Sequence, residues 1–204
     1  MLLFVLARHG QSALNVRRRV NGDPRRPVEL TARGQDEARR LGRQIRHIPT
    51  AVAVCTRFGR TRRTAEIALE GRGVPIVVER GLDDIDVGAL DGHSVSEFRF
   101  WKRDHRWSDP FPDGESLCAA ARRYAEAFRS LLRRPEPAIL VVCHAAPIRY
   151  LLDAAEGFPP LAESPRVVEN AVPYLFDEES LATAADRLEE LVSRPRALSE
   201  RQRE

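Results

Sequence analysis

Met1-Leu2-Leu3-Phe4-Val5-Leu6-Ala7-Arg8-His9-Gly10 opens the chain with an apolar run that stops on a charged pair and a glycine. The run is continuous rather than alternating, the pattern of a strand buried on both faces of a parallel sheet. Arg8 and His9 fall where that strand must end, and open α/β sheets bind ligands at the carboxyl ends of their strands. An arginine there offers a rigid fork of donors to a phosphate or carboxylate. A histidine beside it can serve as base, nucleophile or metal ligand. Gly10 lets the backbone turn sharply and approach a ligand closely. A motif this short also occurs in ordinary solvated loops.

The same arrangement recurs far along the chain. Ala138-Ile139-Leu140-Val141-Val142-Cys143 is a second continuous apolar run, and His144 follows it at once. Beyond lie Ala145-Ala146-Pro147 and a helical pattern that places Ile148, Leu151, Leu152 and Ala155 on one face. Proline is tolerated in the first turn of a helix, where its missing N–H costs nothing. His144 therefore stands between a buried strand and a helix N-terminus, a ready site for an anion. Two of the five histidines in the same position relative to a strand make chance placement a poor explanation.

Strand and helix signals alternate between and around these two runs, which points to α/β layering. The expected fold is a three-layer α/β/α sandwich with a mostly parallel central sheet. After the first strand an Arg-, Gly- and Pro-rich loop is expected from Gln11 to Leu30, then a helix capped by Thr31. Ala51–Cys55 reads as a strand, Thr56–Arg60 as a turn into a helix stopped by Gly71 and Gly73, and Pro75–Val78 as a short strand. Gly81–Gly92 reads as an acidic loop, 94–106 as a short aromatic helix, and Leu117, Ala121, Tyr124, Phe128 and Leu131 as the buried stripe of a longer one. Val167-Val168 and Val172–Phe176 read as edge strands around Asn170. The expected organisation is one domain over residues 1–177, followed by a charged C-terminal helix and tail over 178–204.

Bulk properties narrow the function classes. Lys and Arg number 33 against 30 Asp and Glu, a net charge of +3 over 204 residues, and Lys102 is the one lysine. The arginines are scattered among acids, whereas a nucleic-acid face needs clustered basic residues with interleaved aromatics. Cys55, Cys118 and Cys143 are odd in number and widely spaced, so they show neither a disulfide framework nor paired metal spacing. No signal-peptide pattern and no bilayer-length apolar run is present. A cytoplasmic protein with no membrane and no nucleic-acid partner is expected; the oligomeric state is not legible.

Arg60 lies in the first turn after the Ala51–Cys55 strand, a third strand-end position, but Arg57, Arg62 and Arg63 are neighbours and spacing does not choose among them. The motifs taken together resemble the histidine phosphatase superfamily, the phosphoglycerate-mutase-like group. Arg8-His9-Gly10-Gln11-Ser12-Ala13-Leu14-Asn15 is similar to its Arg-His-Gly signature, followed by Gly22 and Leu30-Thr31-x-x-Gly34. Thr56 to Ala65 resembles its second motif, and that alignment selects Arg60. Leu82 to Gly92 resembles the acidic motif, Asp113-Gly114-Glu115-Ser116 the Gly-Glu-Ser segment of the phosphatase branches, and Val142-Cys143-His144-Ala145 the second histidine motif.

The resemblance covers about residues 2 to 176 and implies a mechanism. His9 attacks phosphorus and becomes a transient phosphohistidine. Arg8, Arg60 and His144 hold the phosphoryl oxygens, with Asn15 and Gly22 adding to the phosphate site. A carboxylic acid protonates the leaving alkoxide and then activates water. Neither a metal nor another cofactor is implied, because arginines and histidines supply the charge. Many members carry Glu where Asp84 aligns. An aspartate is shorter and has a lower reference pKa, ~3.9 against ~4.3, so it needs a raised pKa to act as acid near neutrality. Asp84 is favoured by alignment; Asp83 and Asp86 are the alternatives.

Arg57 and Phe58, where the family often has Asp or Pro and then Leu, and Ala145-Ala146, where Gly is common, are further departures. Mutases of the resembled family usually carry a longer insertion between the acidic motif and the second histidine, so with Gly92–Asp113 compact the resemblance implies a phosphomonoester hydrolase acting on a small phosphate ester. A cofactor-dependent phosphoglycerate mutase and a non-catalytic phosphate-binding regulator are the alternatives. Residues 93–112 are expected to cap the site. Phe98, Phe100, Trp101, Trp107 and Phe111 face either the site or their own core, and Lys102 and Arg103 meet either a second anionic group or solvent.

Overall fold

The computed structural model describes residues 2–158 and 165–193. Its centre is the pair of apolar runs. β1 (Leu3–Arg8) and β4 (Ala138–Cys143) lie parallel, with Arg8 level with Cys143. Every residue of β4 is buried, as a run without polar alternation requires. β2 (Val52–Cys55) and β3 (Ile76–Val78) continue the parallel sheet beyond β4, and β5 (Pro173–Asp177) closes the other edge antiparallel to β1. The order of the five strands is β3-β2-β4-β1-β5.

Alternate side chains of each strand meet different layers. Phe4, Leu6, Val52, Val54, Ile139 and Val141 pack into one core with α5 (Leu117–Leu132), α6 (Ala145–Ala155) and α7 (Glu178–Ser193). Val5, Ala7, Ala53, Leu140 and Val142 pack on the other face with α2 (Ala32–Gln44) and α3 (Gly59–Ala68). The chain is thus a three-layer α/β/α sandwich. Residues 178–193, set apart in sequence as a charged helix, contribute Leu181, Ala184, Ala185, Leu188 and Val192 to the larger core. Residues 194–204 of that segment lie outside the described residues.

Caps fix the helix starts where the sequence signals them. Thr31 Oγ1 accepts the Gly34 N–H at 3.0 Å, and Ser116 Oγ accepts the Ala119 N–H at 3.1 Å. α4 (Val95–Asp104) starts in a reciprocal Ser94–Glu97 capping box. On it Phe98 and Trp101 stack against the buried Phe111, at ring separations of 5.5 and 4.1 Å, while Phe100 stays exposed under Arg103. The cap aromatics therefore pack largely on one another.

Three expectations need correction. The loop after β1 contains a short helix, α1 (Ala13–Val16), started by a Ser12–Asn15 capping box. The acidic loop holds two 3-10 turns, Arg80–Leu82 and Gly88–Leu90. Val167-Val168 forms no strand: Ala171 adopts φ 52°, turning the chain just before β5, and the Val168 carbonyl is used by Arg8 instead. Among the described residues no helix is long and apolar enough to cross a membrane.

Candidate active site

The parallel register delivers both histidines to one place. His9 follows β1 and His144 follows β4, and their rings stand 5.4 Å apart, edge to face. The end of β1 is held from both sides. The His9 N–H donates to the Cys143 carbonyl at 3.0 Å, and the Asn170 amide donates to the His9 carbonyl at 2.6 Å. The next residue, Ala171, donates its N–H to the Arg8 carbonyl.

The His9 ring is held in one tautomer. Its Nδ1 lies 2.8 Å from the Gly10 carbonyl, which can only accept, so Nδ1 carries the hydrogen and Nε2 keeps its lone pair. Arg60 Nε donates to that Nε2 at 3.0 Å. Burial, with the charges of Arg60 and Arg8, holds the ring's pKa well below the ordinary imidazole range. Gly10 itself is pressed against α2: a Cβ would stand 2.3 Å from the Gly34 carbonyl oxygen.

Arg60 lies at the start of α3, 4 % exposed, and touches His9, His144, Asp84 and Asn21. Its NH2 donates to Asp84 Oδ2 at 3.1 Å and to the Asn21 carbonyl at 3.2 Å, and lies 3.0 Å from His144 Nδ1. The neighbouring arginines go elsewhere, Arg57 to Asp83 and Arg62 and Arg63 to Glu66. Arg8 donates through NH1 to the Val168 carbonyl at 2.9 Å, while its buried Nε has no hydrogen-bond partner. A buried guanidinium donor without an acceptor is costly, and an anion's oxygen would satisfy it.

His144 is fully buried and is the N-cap residue of α6. Its Nε2 meets Thr56 Oγ1 at 3.0 Å and its Nδ1 lies 3.4 Å from Asp84 Oδ2. Burial and then the Arg60 charge lower its pKa well below the usual value.

The three candidate carboxylates separate cleanly. Asp83 accepts from the Arg57 N–H and side chain, and Asp86 accepts from the Gly88 N–H on an exposed turn. Asp84 alone of the three meets Arg60 and His144. Its pKa is raised, burial outweighing the opposing pull of Arg60. The loop beneath it is gripped by Arg123 of α5, which donates to the carbonyls of Gly81 and Asp83 at 3.0 Å each, to that of Asp84 at 3.4 Å, and to Glu115. Glu115 in turn accepts the Asp86 N–H at 2.9 Å.

Of the remaining two candidates, one group each is engaged within the loops. Asn15 uses its carboxamide oxygen on the Ser12 N–H at 3.0 Å. Gly22 donates its N–H to Asp91 at 2.8 Å and packs where a Cβ would stand 2.3 Å from the Ile85 carbonyl oxygen. Sequence reasoning missed Asn21, Thr56, Arg123 and Asn170. Asn21 was within reach, since it adjoins Gly22 in the same loop. Nothing in the spacing marks Arg123 or Asn170. Among the described residues no group of three or more His, Cys, Asp and Glu is placed to hold a metal ion.

The profile of the histidine phosphatase superfamily, branch 1, matches residues 4–190. The chain belongs to that superfamily. A curated relative of this histidine phosphatase family member, the "Probable phosphoglycerate mutase GpmB" of Erwinia tasmaniensis, is 30 % identical over 171 residues, 80 % of this chain and 79 % of the relative. The solved structure of Bacillus stearothermophilus YhfR is similar at a TM-score of 0.74 and 29 % identity, covering 87 % of this chain and 91 % of that one. The alpha-ribazole phosphatase from Shigella flexneri shares the fold at a TM-score of 0.75 and 22 % identity, over 86 % and 90 % of the two chains.

Proposed function

We propose that this member of the superfamily is a phosphomonoester hydrolase that passes the phosphoryl group of a small phosphate ester through His9 to water. The observation that carries the reading is the unprotonated Nε2 of His9, fixed by Nδ1–H to the Gly10 carbonyl, facing into a cluster of Arg60, Arg8 and His144. In the first step the Nε2 lone pair forms the N–P bond while the ester P–O bond breaks, and Asp84 gives its proton to the leaving alkoxide. In the second step water attacks phosphorus, the Asp84 carboxylate takes its proton, and the N–P bond breaks to release inorganic phosphate. Arg8, Arg60 and His144 hold the phosphoryl oxygens; most of the catalysis in phosphoryl transfer is such positioning and charge. These side chains supply the charge that a metal supplies elsewhere, so no metal or other cofactor is called for. Asn15, through the carboxamide NH2 that its Ser12 contact leaves over, and the loop at Gly22 add to the phosphate site.

The name carried by the Erwinia relative supports a second reading, a mutase that returns the phosphoryl group to a substrate hydroxyl. The compact segment from Gly92 to Asp113 favours water as the acceptor. We also assign the domain to residues through α7 and the protein to the cytoplasm, the latter in keeping with three buried free thiols.

Release of inorganic phosphate from p-nitrophenyl phosphate and a panel of phosphate esters, in the presence of EDTA, tests the reading. The wild type is expected to turn over. The His9→Ala protein is expected to lose turnover while still binding phosphate, and acid-labile phosphate should be trapped on the wild type alone. Normal turnover by His9→Ala refutes the nucleophile. Conversion of 3-phosphoglycerate to 2-phosphoglycerate without phosphate release assigns the mutase.

A further inference from the structure

Beneath His144 lies a row of buried hydroxyls that the reaction as written does not use. Thr56 is 2 % and Thr61 0 % exposed. His144 Nε2 is 3.0 Å from Thr56 Oγ1, Thr56 Oγ1 is 2.9 Å from Thr61 Oγ1, and Thr61 Oγ1 is 2.8 Å from the Phe58 carbonyl oxygen. Thr61 Oγ1 also receives the Thr56 N–H at 3.1 Å.

The two ends of this row favour one direction for its donors. At one end Arg60 NH2, which can only donate, meets His144 Nδ1 at 3.0 Å, nearer than Asp84 Oδ2 at 3.4 Å, which favours a lone pair on Nδ1. The hydrogen of the neutral ring is then on Nε2, and it donates to Thr56. Thr56 passes its own hydroxyl hydrogen to Thr61, and Thr61 gives its hydroxyl hydrogen to the Phe58 carbonyl, which can only accept. The reversed order would set a ring N–H against the Arg60 NH2 group at 3.0 Å, with only the more distant Asp84 Oδ2 at 3.4 Å to accept it, and would leave the Phe58 carbonyl with the backbone donors of Thr61 and Arg62 alone.

We infer that Thr56 and Thr61 are positioning residues that hold His144 in the Nε2–H tautomer and so keep Nδ1 turned toward Arg60, Asp84 and the phosphoryl group. A proton taken up by the ring then goes to Nδ1, next to the phosphoryl oxygens, while Thr56 keeps its hold on Nε2–H in both charge states. Without that hold Nε2–H is a buried donor with no acceptor, and Asp84 Oδ2, 3.4 Å from Nδ1, draws the hydrogen to the other nitrogen; a wrong tautomer costs a histidine its role even when its position is kept. The kinetic part of this inference rests on the phosphatase reading above; the tautomer does not.

The test is the 15N spectrum of protein labelled at histidine, with His144 assigned by comparison with His144→Gln. The wild type is expected to show the Nε2–H tautomer. Thr56→Val, which removes the hydroxyl at nearly constant volume, is expected to lose that signature and to lower kcat/KM about tenfold or more, in the range of other residues that orient a functional histidine. Thr56→Ser restores both, which a purely packing role would not require. Thr61→Val, in which Thr56 loses its acceptor, gives a weaker loss of the same kind and stands in if Thr56→Val does not fold. An Nδ1–H tautomer in the wild type overturns the inference, as does a Thr56→Val protein with the wild-type spectrum and kcat/KM. If the wild type hydrolyses no ester, the phosphatase reading fails while the spectrum still decides the tautomer.

Discussion

Asp84 is one methylene shorter than the glutamate that the resemblance leads one to expect at its place, and its position suits it to reach the reaction. It stands within 3.1 Å of Arg60 and 3.4 Å of His144, with its pKa raised by burial. The raised pKa keeps a population of protonated carboxyl to give to the leaving group. The rate on alkyl phosphates should therefore fall as pH rises through the pKa of Asp84. It should not fall early on the acid side, because the lowered pKa of His9 keeps Nε2 unprotonated there. Asp84→Asn removes both roles of the carboxyl. We expect a loss of about 10²-fold or more on alkyl phosphates, the usual worth of a positioned acid or base. On p-nitrophenyl phosphate, whose leaving group needs no proton, a burst of one p-nitrophenolate per site should precede slow turnover, because water activation is lost while phosphorylation is not. Equal losses on both substrates with no burst would remove Asp84 from the role and return Asp83 and Asp86 to consideration.

Between elements, the decisive contact is the one from α5 to the acidic loop. Arg123 satisfies three carbonyls of the loop, those of Gly81, Asp83 and Asp84, and pairs with Glu115, so the acid's backbone is held by the helix that packs against the loop in the same core. Arg123→Met keeps the stem and removes the donors. Hydrogen bonds to charged groups contribute about 1.5–3 kcal/mol, so the variant should melt several degrees lower and lose activity on alkyl phosphates about tenfold. Arg122→Met, on the exposed face of the same helix, should change neither, and equal behaviour of the two variants would dismiss the clamp. This contact also marks where sequence legibility ends. The helix was legible, since Leu117, Ala121, Tyr124, Phe128 and Leu131 repeat at helical spacing and are all buried. The two strands that lead into the histidines were legible because a continuous apolar run stopped by a polar residue has few other readings. Arg123 was not, because on a helix surface an arginine aimed at a distant loop has the same pattern as one aimed at solvent. Val167-Val168 was misread because β-branched residues favour strands, and the competing use of their backbone by Arg8 lies 160 positions away. Arg60, too, was singled out by resemblance; its spacing matches that of three other arginines.

For the molecule as a whole, α7 and the buried histidines set how the fold responds to mutation and to acid. Leu188 is fully buried with its helix neighbours against α5 and α6, so Leu188→Ala should cost about 2–5 kcal/mol of stability. A helix merely appended to the domain would give almost no change in the main melting transition. The acid response follows from the site itself. His9 and His144 have folded-state pKa values well below the ordinary one, from burial and nearby arginines. The unfolded chain binds protons on these rings as pH falls below about 6.5, while the folded chain does not. Stability is therefore full above that value and declines as pH falls toward the folded-state pKa, by up to about 1.4 kcal/mol per histidine for each pH unit crossed. Asp84, raised rather than lowered, works the other way: its contribution is full at low pH and is lost as pH rises through its folded value. Because two histidines oppose one carboxyl, the melting temperature should drop on going from about pH 7 to about pH 5. His9→Gln takes one of the two titrating rings out of the balance, so its melting temperature should change distinctly less over the same interval, whatever its value at pH 7. A wild-type and a His9→Gln profile of the same slope would mean that His9 binds its proton in the folded protein as readily as in the unfolded chain. The lone pair on Nε2 would then be lost in mildly acid solution, and with it the nucleophile.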